Sequence, residues 1–308
     1  MSDLEAFFQC LRDARAPLPK ASADELARRL LQQNALERIA QSLTKSRLDA
    51  LLFKGAALLQ KVYPAQASRP MSDIDMLARP GQNALLVQAL KEGGAKYQEP
   101  KERPKSAALL GESGFLVPQG NLGSFVEVHA HIGKAVPRPI EIDALFARSR
   151  PLRQHPSLLI PSPEDHALLI AIDASQNEFR YPRALLDIEM LFRQGLDFGL
   201  LVERARRFQA QTALFEALQT LYFLGAASIS KAHLEALRPS WIQRALLSFL
   251  FQAPQPKQFP RARGPYRLGL VWMLRQGLLR DDKGAYILGV LRYGAARLGE
   301  SVQGNSRL

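Results

Sequence analysis

The sequence predicts an α+β protein: a small mixed sheet with helices, preceded by an N-terminal pair of helices and followed by a helical C-terminal region. Three observations predict this fold class. Strand and helix patterns alternate over residues 48–95, two strand patterns surround a turn in residues 114–132, and helical spacing of apolar residues continues from residue 162. The 308 residues exceed the usual size of one domain. We expect three segments, which are 1–47, 48–157 and 158–308, the last with a Pro-rich basic linker at 252–265.

The individual elements follow from local signals. Ser22 followed by Glu25 resembles a capping box at the start of the second N-terminal helix. Residues 48–63 combine a short apolar strand pattern with a helical pattern, and residues 72–95 repeat that order. The sequence therefore predicts strand, helix, strand and helix before the pair of strands that surrounds the turn.

Composition excludes several classes of protein. Hydrophobic residues make up 47% of the chain and charged residues 23%, which is typical of a globular protein. Cys10 is the only cysteine, so an internal disulfide and a cysteine zinc cluster are both excluded. The N-terminal stretch does not resemble a signal peptide, and no run of apolar residues is long enough for a transmembrane segment. We expect a cytoplasmic protein.

The net charge of +12 is concentrated near the C-terminus. Residues 251–308 contain ten Lys and Arg residues and only three acidic residues. Such a surplus favours polyanions such as nucleic acid or polyphosphate. The sequence predicts that Arg261, Arg263 and Arg267 bind a polyanionic acceptor, the alternative being a solvated basic surface.

Two aspartates in "RPMSDIDML" (residues 69–77) suggest a metal site. Side chains two residues apart in a strand point to the same side, so Asp73 and Asp75 share one face while Ile74 and Met76 point to the other. Two adjacent carboxylates repel each other, and a cation removes that repulsion. Mg²⁺ prefers oxygen ligands from carboxylates and phosphates. Replacement of Asp75 by asparagine is expected to abolish transfer and to leave the fold intact. The alternative is a solvent-facing pair on an edge strand.

The segment "FVEVHAHI" (residues 125–132) supplies a third acid by the same alternation. Glu127, His129 and His131 would share one face, and Glu127 would join the aspartates if the two strands are neighbours. Three acids around two metal ions suit phosphoryl or nucleotidyl transfer. For Glu127, the alternative is a surface acid of the strand. For His129, support of the acidic site is favoured over a transition-metal site formed by the two histidines with Glu127.

Upstream, "FKGAALL" places Gly55 where a strand turns into a helix, and the free N–H groups of a helix start suit a triphosphate.

The chain resembles the uncharacterised bacterial nucleotidyltransferase family of the DNA polymerase β superfold. The segments that carry the resemblance are "LLFKGAALLQKVYP", "RPMSDIDML", "FVEVHAHI" and "SPEDHALLIAI" followed by "RALLDIEMLF". The resemblance spans residues 45–225. It implies that Gly55 and Ala56 hold the triphosphate, that Asp73 and Asp75 bind metal, and that Glu127 completes the triad.

The chain departs from the wider superfold in carrying Ala56 where a serine is usual, which removes one phosphate contact. Basic and polar neighbours complete the predicted nucleotide site, which comprises Lys54, Gly55, Ala56, Arg69 and Ser72. The alternative for Lys54 and Arg69 is that they only compensate the charge of the nearby acids. Asp187, in the helical region, is a further candidate for positioning the nucleotide, with local pairing as its alternative.

The predicted function is transfer of a nucleoside monophosphate from an NTP, ATP being favoured, with two Mg²⁺ ions or Mn²⁺ in their place. A silent nucleotide-binding scaffold and a nucleic-acid-binding protein are the alternatives.

Overall fold

The computed structural model describes residues 3–98, 111–133, 136–179, 181–250, 274 and 276–305. The chain divides into two compact units, which are Met1–Pro19 with Pro163–Ile287, and Lys20–Ser162 with Leu288–Leu308. The predicted division into three segments at 47 and 157 stays a prediction. The predicted linker at 252–265 lies outside the described residues, and so do Arg261, Arg263 and Arg267.

The helices and strands follow the chain in a mixed order. The helices are α1 (Asp3–Arg12), α2 (Ala23–Lys45), α3 (Lys54–Lys61), α4 (Asn83–Glu92), α5 (Ile142–Arg148), α6 (Pro163–Gln176), α7 (Pro182–Arg193), α8 (Phe198–Arg207), α9 (Gln211–Leu224), α10 (Lys231–Leu237), α11 (Trp241–Leu250) and α12 (Lys283–Asn305). The strands are β1 (Ala50–Leu52), β2 (Asp73–Leu77), β3 (Lys96–Gln98), β4 (Glu112–Gln119), β5 (Leu122–His129), β6 (Arg150–Pro151) and β7 (Leu158–Ile160). The predicted α+β fold class is confirmed.

A seven-stranded mixed sheet forms the centre of the second unit, in the order β3-β4-β5-β2-β1-β7-β6. Strand β2 is parallel to β5 and antiparallel to β1. The alternation predicted for β2 and β5 is confirmed on the core side, because Ile74, Met76, Val126 and Val128 are all fully buried. These residues pack in one apolar cluster with α2 and α4. The opposite face of β2 and β5 therefore carries Asp73, Asp75, Glu127 and His129, together with Leu77 and Phe125.

Strands β4 and β5 form a tight hairpin, as the turn pattern predicts. Gln119 pairs with Leu122, which leaves a two-residue loop at Gly120 and Asn121. Gly120 has a φ of 61°, and two-residue hairpin turns favour residues that accept positive φ. The loop fixes the register of the whole hairpin.

The N-terminal capping signal is half confirmed. The Ser22 hydroxyl accepts a hydrogen bond from the backbone N–H of Glu25, which caps α2. The Glu25 carboxylate is instead used elsewhere, because it accepts hydrogen bonds from the Arg69 backbone N–H and the Ser68 hydroxyl. Both predicted N-terminal helices are present, but α1 and α2 belong to different units.

The other unit is helical, and it contains ion pairs both between helices and within a turn. Arg204 of α8 contacts the carboxylates of Glu164 and Asp165 on α6. The side chains of Arg280 and Asp282 form an ion pair and are each only 5% exposed. Arg280 is thus not available to a surface polyanion, although the C-terminal charge count includes it. Within the described residues, no helix has the length and apolarity needed to cross a membrane.

Candidate functional site

The site lies where β2 and β5 run side by side. The two strands pair so that Asp75 stands directly opposite Glu127. Opposed residues of neighbouring strands project from the same face of the sheet. Because the other face carries the buried apolar core, both carboxylates project from the polar face. Two positions 52 residues apart in the sequence are therefore brought together by one strand pairing.

Asp75 is the best buried of the acidic groups at the site, with a side chain only 4% exposed. Its Oδ1 accepts a hydrogen bond from Nζ of Lys54 at 2.9 Å. The same oxygen lies 3.0 Å from Nε2 of His129. An edge-to-face contact with the Phe53 ring, at 5.0 Å between centroids, packs the imidazole in place. Asp75 is thus a buried charge with two polar partners.

The surroundings of the two facing acids shift their pKa values in opposite directions. Burial alone would raise the pKa of Asp75, but the hydrogen bond from His129 and the charge of Lys54 outweigh burial and lower the pKa to about 2. Burial raises the pKa of Glu127, and the negative charges of Asp75 and Glu112 raise it further. Asp75 is consequently held as a carboxylate, whereas the ionised form of Glu127 is disfavoured until more positive charge is present.

The donor atoms fit a divalent cation. Asp75, Glu127 and His129 each offer one atom, and these atoms lie within 4.8 Å of one another. Nε2 of His129 lies 3.7 Å from Oε2 of Glu127. Neighbouring ligands of an octahedral ion bound at about 2.1 Å are separated by about 3 Å, so the donor atoms would draw closer together when they bind a cation. The crowding of negative charge that raises the pKa of Glu127 would be relieved by such an ion.

The start of α3 lies against β2. The backbone N–H of Phe53 donates to the carbonyl oxygen of Asp75 at 3.2 Å, and α3 begins at the next residue. Lys54 has a φ of 51°, a left-handed conformation that is costly for a residue with a side chain and that is concentrated at functional sites. Phe53 provides no side-chain cap, so no cap from this residue competes for the N–H groups of the helix start.

Gly55 makes room for a guanidinium group at this helix start. A Cβ atom at Gly55 would lie 2.3 Å from Nη1 of Arg69 and 2.8 Å from Sδ of Met71. Arg69 is itself buried, with 6% of its surface exposed, and Ala56 is buried as well. Glycine is therefore required at this position for the cation of Arg69 to approach the helix.

Comparison with protein families decides the classification. The family model described as "Uncharacterised nucleotidyltransferase" matches residues 5–222. The chain belongs to this nucleotidyltransferase family. The match includes the whole sheet and the acidic site. No curated protein and no solved structure matches the chain.

The remaining predicted residues of this family member occupy different surroundings. Asp73 lies on the same face as Asp75 and is close enough for its charge to raise the pKa of Glu127. Its Oδ1 accepts a hydrogen bond from the exposed Ser72 hydroxyl at 2.9 Å. Asp73 is not among the three residues whose donor atoms converge. Its assignment as a metal ligand stays a prediction, as does that of Ser72 to the nucleotide.

His131 and Asp187 do not belong to the convergent group of Asp75, Glu127 and His129. Strand β5 ends at His129, so the alternation expected to carry His131 onto the same face stops before it. Among described residues, the convergent group contains His129 and not His131, which argues against a metal site made by both histidines. Asp187 is buried on α7 in the helical unit. Its predicted role toward the nucleotide stays a prediction.

Sequence reasoning missed Glu112, the first residue of β4. It stands opposite His129 in the hairpin, and its Oε1 lies 3.5 Å from Nδ1 of that histidine. The signal was available in the sequence. A two-residue loop at Gly120 and Asn121 sets the hairpin register, and counting back from it along both strands pairs Glu112 with His129.

The low pKa of Asp75 predicts a pH-dependent contribution to stability in metal-free protein. The folded pKa of about 2 lies below the usual value of 3.8, so the contribution is present above pH 4 and is lost as the pH falls toward 2. We expect the difference in unfolding free energy between wild type and Asp75→Asn to shrink by about 1 kcal/mol between pH 5 and pH 3. Urea unfolding in EDTA measures it. A difference that is constant across this range would show that Asp75 is not held ionised by its partners.

Proposed function

We propose that this protein transfers a nucleoside monophosphate from an NTP, with ATP favoured, to a hydroxyl or phosphate group of an acceptor. The observation that carries the proposal is the convergence of Asp75, Glu127 and His129 beside the start of α3. Membership of the nucleotidyltransferase family supports the reaction class. The arrangement also agrees with the resemblance to the polymerase β superfold, in which a helix start and strand carboxylates share one substrate.

The triphosphate would lie on the α3 side of Asp75. The predicted group on this side is Lys54, Gly55, Ala56, Arg69 and Ser72. Two features favour an anion here: the start of α3, where Phe53 supplies no side-chain cap, and the guanidinium of Arg69 beside Gly55. Lys54 adds an ammonium group that is paired with Asp75 in the absence of substrate. These cations would draw the phosphates toward the acidic pair.

The carboxylates would hold the divalent cation between the two substrates. The sequence favours Mg²⁺, with Mn²⁺ as the alternative. When bound, the cation would neutralise phosphate charge and favour displacement of pyrophosphate. Asp75 is suited to permanent binding of the cation because its low pKa keeps the carboxylate ionised. Glu127 is suited to a more exposed role, since its side chain is 27% exposed.

The acceptor would approach from the β5 side. In the sheet, β5 and β1 lie on opposite sides of β2, so Glu127 and the helix start flank Asp75 from opposite directions. The residue opposite Glu127 on β4 is Gly114, which has no side chain to fill the surface. The half-exposed ring of Phe125 lies against this glycine, where a Cβ would come within 2.8 Å of it. The Phe125 ring thus fills the place above Gly114, and it is the 27% exposure of the Glu127 side chain that supports its predicted role of orienting or deprotonating the acceptor.

Pyrophosphate release tests the proposal. The full chain would be incubated with each α-labelled NTP, Mg²⁺ or Mn²⁺, and a cell extract as the source of acceptors. We expect label to enter one class of molecule, pyrophosphate to appear in equal amount, and EDTA to abolish both.

Two other outcomes would contradict transfer. Thermal stabilisation by NTP without labelled product or pyrophosphate would indicate a silent nucleotide-binding scaffold. Salt-sensitive binding of nucleic acid that needs no NTP, again without pyrophosphate, would indicate a nucleic-acid-binding protein.

A further inference from the structure

The ring of His129 joins two groups of carboxylates. Its Nε2 faces the acidic pair, 3.0 Å from Oδ1 of Asp75 and 3.7 Å from Oε2 of Glu127. Its Nδ1 faces the other way, 3.5 Å from Oε1 of Glu112. The strand register places Glu112 directly opposite His129. One imidazole therefore lies between an outer carboxylate on β4 and the proposed cation site on β2 and β5.

Packing holds the ring in this orientation. The His129 side chain is 7% exposed, and the Phe53 ring contacts it edge to face. With no cation bound, the Nε2–H group donates a hydrogen bond to Asp75, the nearer carboxylate. A cation that takes the lone pair of Nε2 requires the proton on Nδ1 instead, where the carboxylate of Glu112 favours it. A histidine whose outer nitrogen meets a carboxylate is a recurring arrangement at protein metal centres, where the carboxylate fixes both tautomer and ring angle.

We propose that His129 is a cation ligand through Nε2, that Glu112 is the positioning residue that fixes its tautomer, and that the centre consequently prefers Mn²⁺ to Mg²⁺. The inference rests on the proposed function only in that both concern the same cation. Mg²⁺ selects oxygen ligands and retains its water, whereas imidazole nitrogen favours first-row transition ions. A site with two carboxylates and one imidazole suits an ion that accepts both kinds of ligand, and Mn²⁺ is one first-row transition ion that does so.

Cation binding to the full chain, without NTP, tests this directly. Mn²⁺ affinity would be measured by electron paramagnetic resonance of the free ion, and Mg²⁺ affinity by competition. We expect wild type to bind Mn²⁺ about tenfold or more tightly than Mg²⁺. His129→Gln should lose most of this preference. Glu112→Gln should weaken Mn²⁺ binding by about 10- to 100-fold, as expected for the partner of a ligating histidine, with a smaller effect on Mg²⁺.

The matched control is Glu37→Gln, which removes an exposed acid from α2, a helix that packs on the opposite, apolar face of the sheet. It should leave both affinities unchanged. A readout on unaltered protein removes dependence on the folding of the variants: the Mn²⁺ spectrum of wild type should show coupling to a ¹⁴N nucleus. This coupling should be absent in His129→Gln.

Three results would overturn the inference. These are absence of ¹⁴N coupling in wild type, equal weakening of Mn²⁺ and Mg²⁺ by the two site variants, and no Mn²⁺ binding even with a non-hydrolysable NTP analogue. Failure of the proposed function is distinguishable from each. Selective Mn²⁺ binding without pyrophosphate release would retain the inference and reject the transferase, whereas equal activity with both ions and no nitrogen ligand would do the reverse.

Discussion

Replacement of Asp75 by asparagine is expected to abolish nucleotidyl transfer, lowering turnover by a factor on the order of 10³, or about 4 kcal/mol. The reason is that Asp75 is the one acid of the convergent group whose pKa is lowered, so it supplies permanent negative charge to the cation. Asparagine keeps the shape and removes that charge. Steady-state pyrophosphate release at saturating NTP and cation measures the effect. Turnover above about one-tenth of wild type, a loss of less than 1.4 kcal/mol, would exclude Asp75 as a metal ligand.

The same substitution should also lower stability, contrary to the expectation from sequence. A solvent-facing aspartate would contribute only repulsion, so its loss would leave the fold intact. Asp75 is instead buried and accepts hydrogen bonds from Lys54 and His129. We expect a loss of about 2 kcal/mol in unfolding free energy near neutral pH, so activity must be measured well below the melting temperature. Asp24→Asn, at an exposed position in the first turn of α2, is the matched control and should change stability by less than about 1 kcal/mol.

The parts of the fold that were predictable are those with a local signal. Alternation of polar and apolar residues placed Ile74, Met76, Val126 and Val128 in the core, and the turn at Gly120 joined β4 to β5. The same alternation placed Asp73 with Asp75 on one face and Glu127 with His129 on one face. Local periodicity is sufficient for this because the side-chain repeat of a strand is two residues. It is not sufficient to establish which strands are neighbours.

The unpredicted parts depend on non-local pairing or on very short strands. Strand β3 has three exposed residues, and β6 has only two residues, so neither has an alternation to detect. Strand β7 is three apolar residues that pair parallel to β1, which lies about a hundred residues earlier in the chain. The position of Arg69 against Gly55 is likewise a tertiary contact. Only Glu112 could have been recovered, by carrying the hairpin register back from its loop.

Glu127 is expected to act in the chemical step rather than in holding the NTP. It lies on β5, on the side of Asp75 away from the start of α3, and its side chain is more exposed than that of Asp75. Burial, and then the neighbouring carboxylates, raise the pKa of Glu127, so it is the member of the group best suited to exchange a proton with an acceptor. A group used mainly in the transition state affects kcat, whereas a ground-state ligand affects KM.

Glu127→Gln separates these two roles because it preserves shape and removes the charge. We expect kcat to fall by a factor on the order of 10² or more, with KM for NTP changed by less than about threefold. Titration of an NTP analogue in the presence of cation should show nearly unchanged binding. The fold should be retained or slightly stabilised, since the raised pKa means that ionised Glu127 is unfavourable in the cation-free protein. A large rise in KM with unchanged kcat would assign Glu127 to substrate binding. If kcat and KM were both unaltered, Glu127 would have no part in the reaction. A carboxylate that orients or deprotonates the acceptor cannot be replaced by a neutral amide without slowing that step.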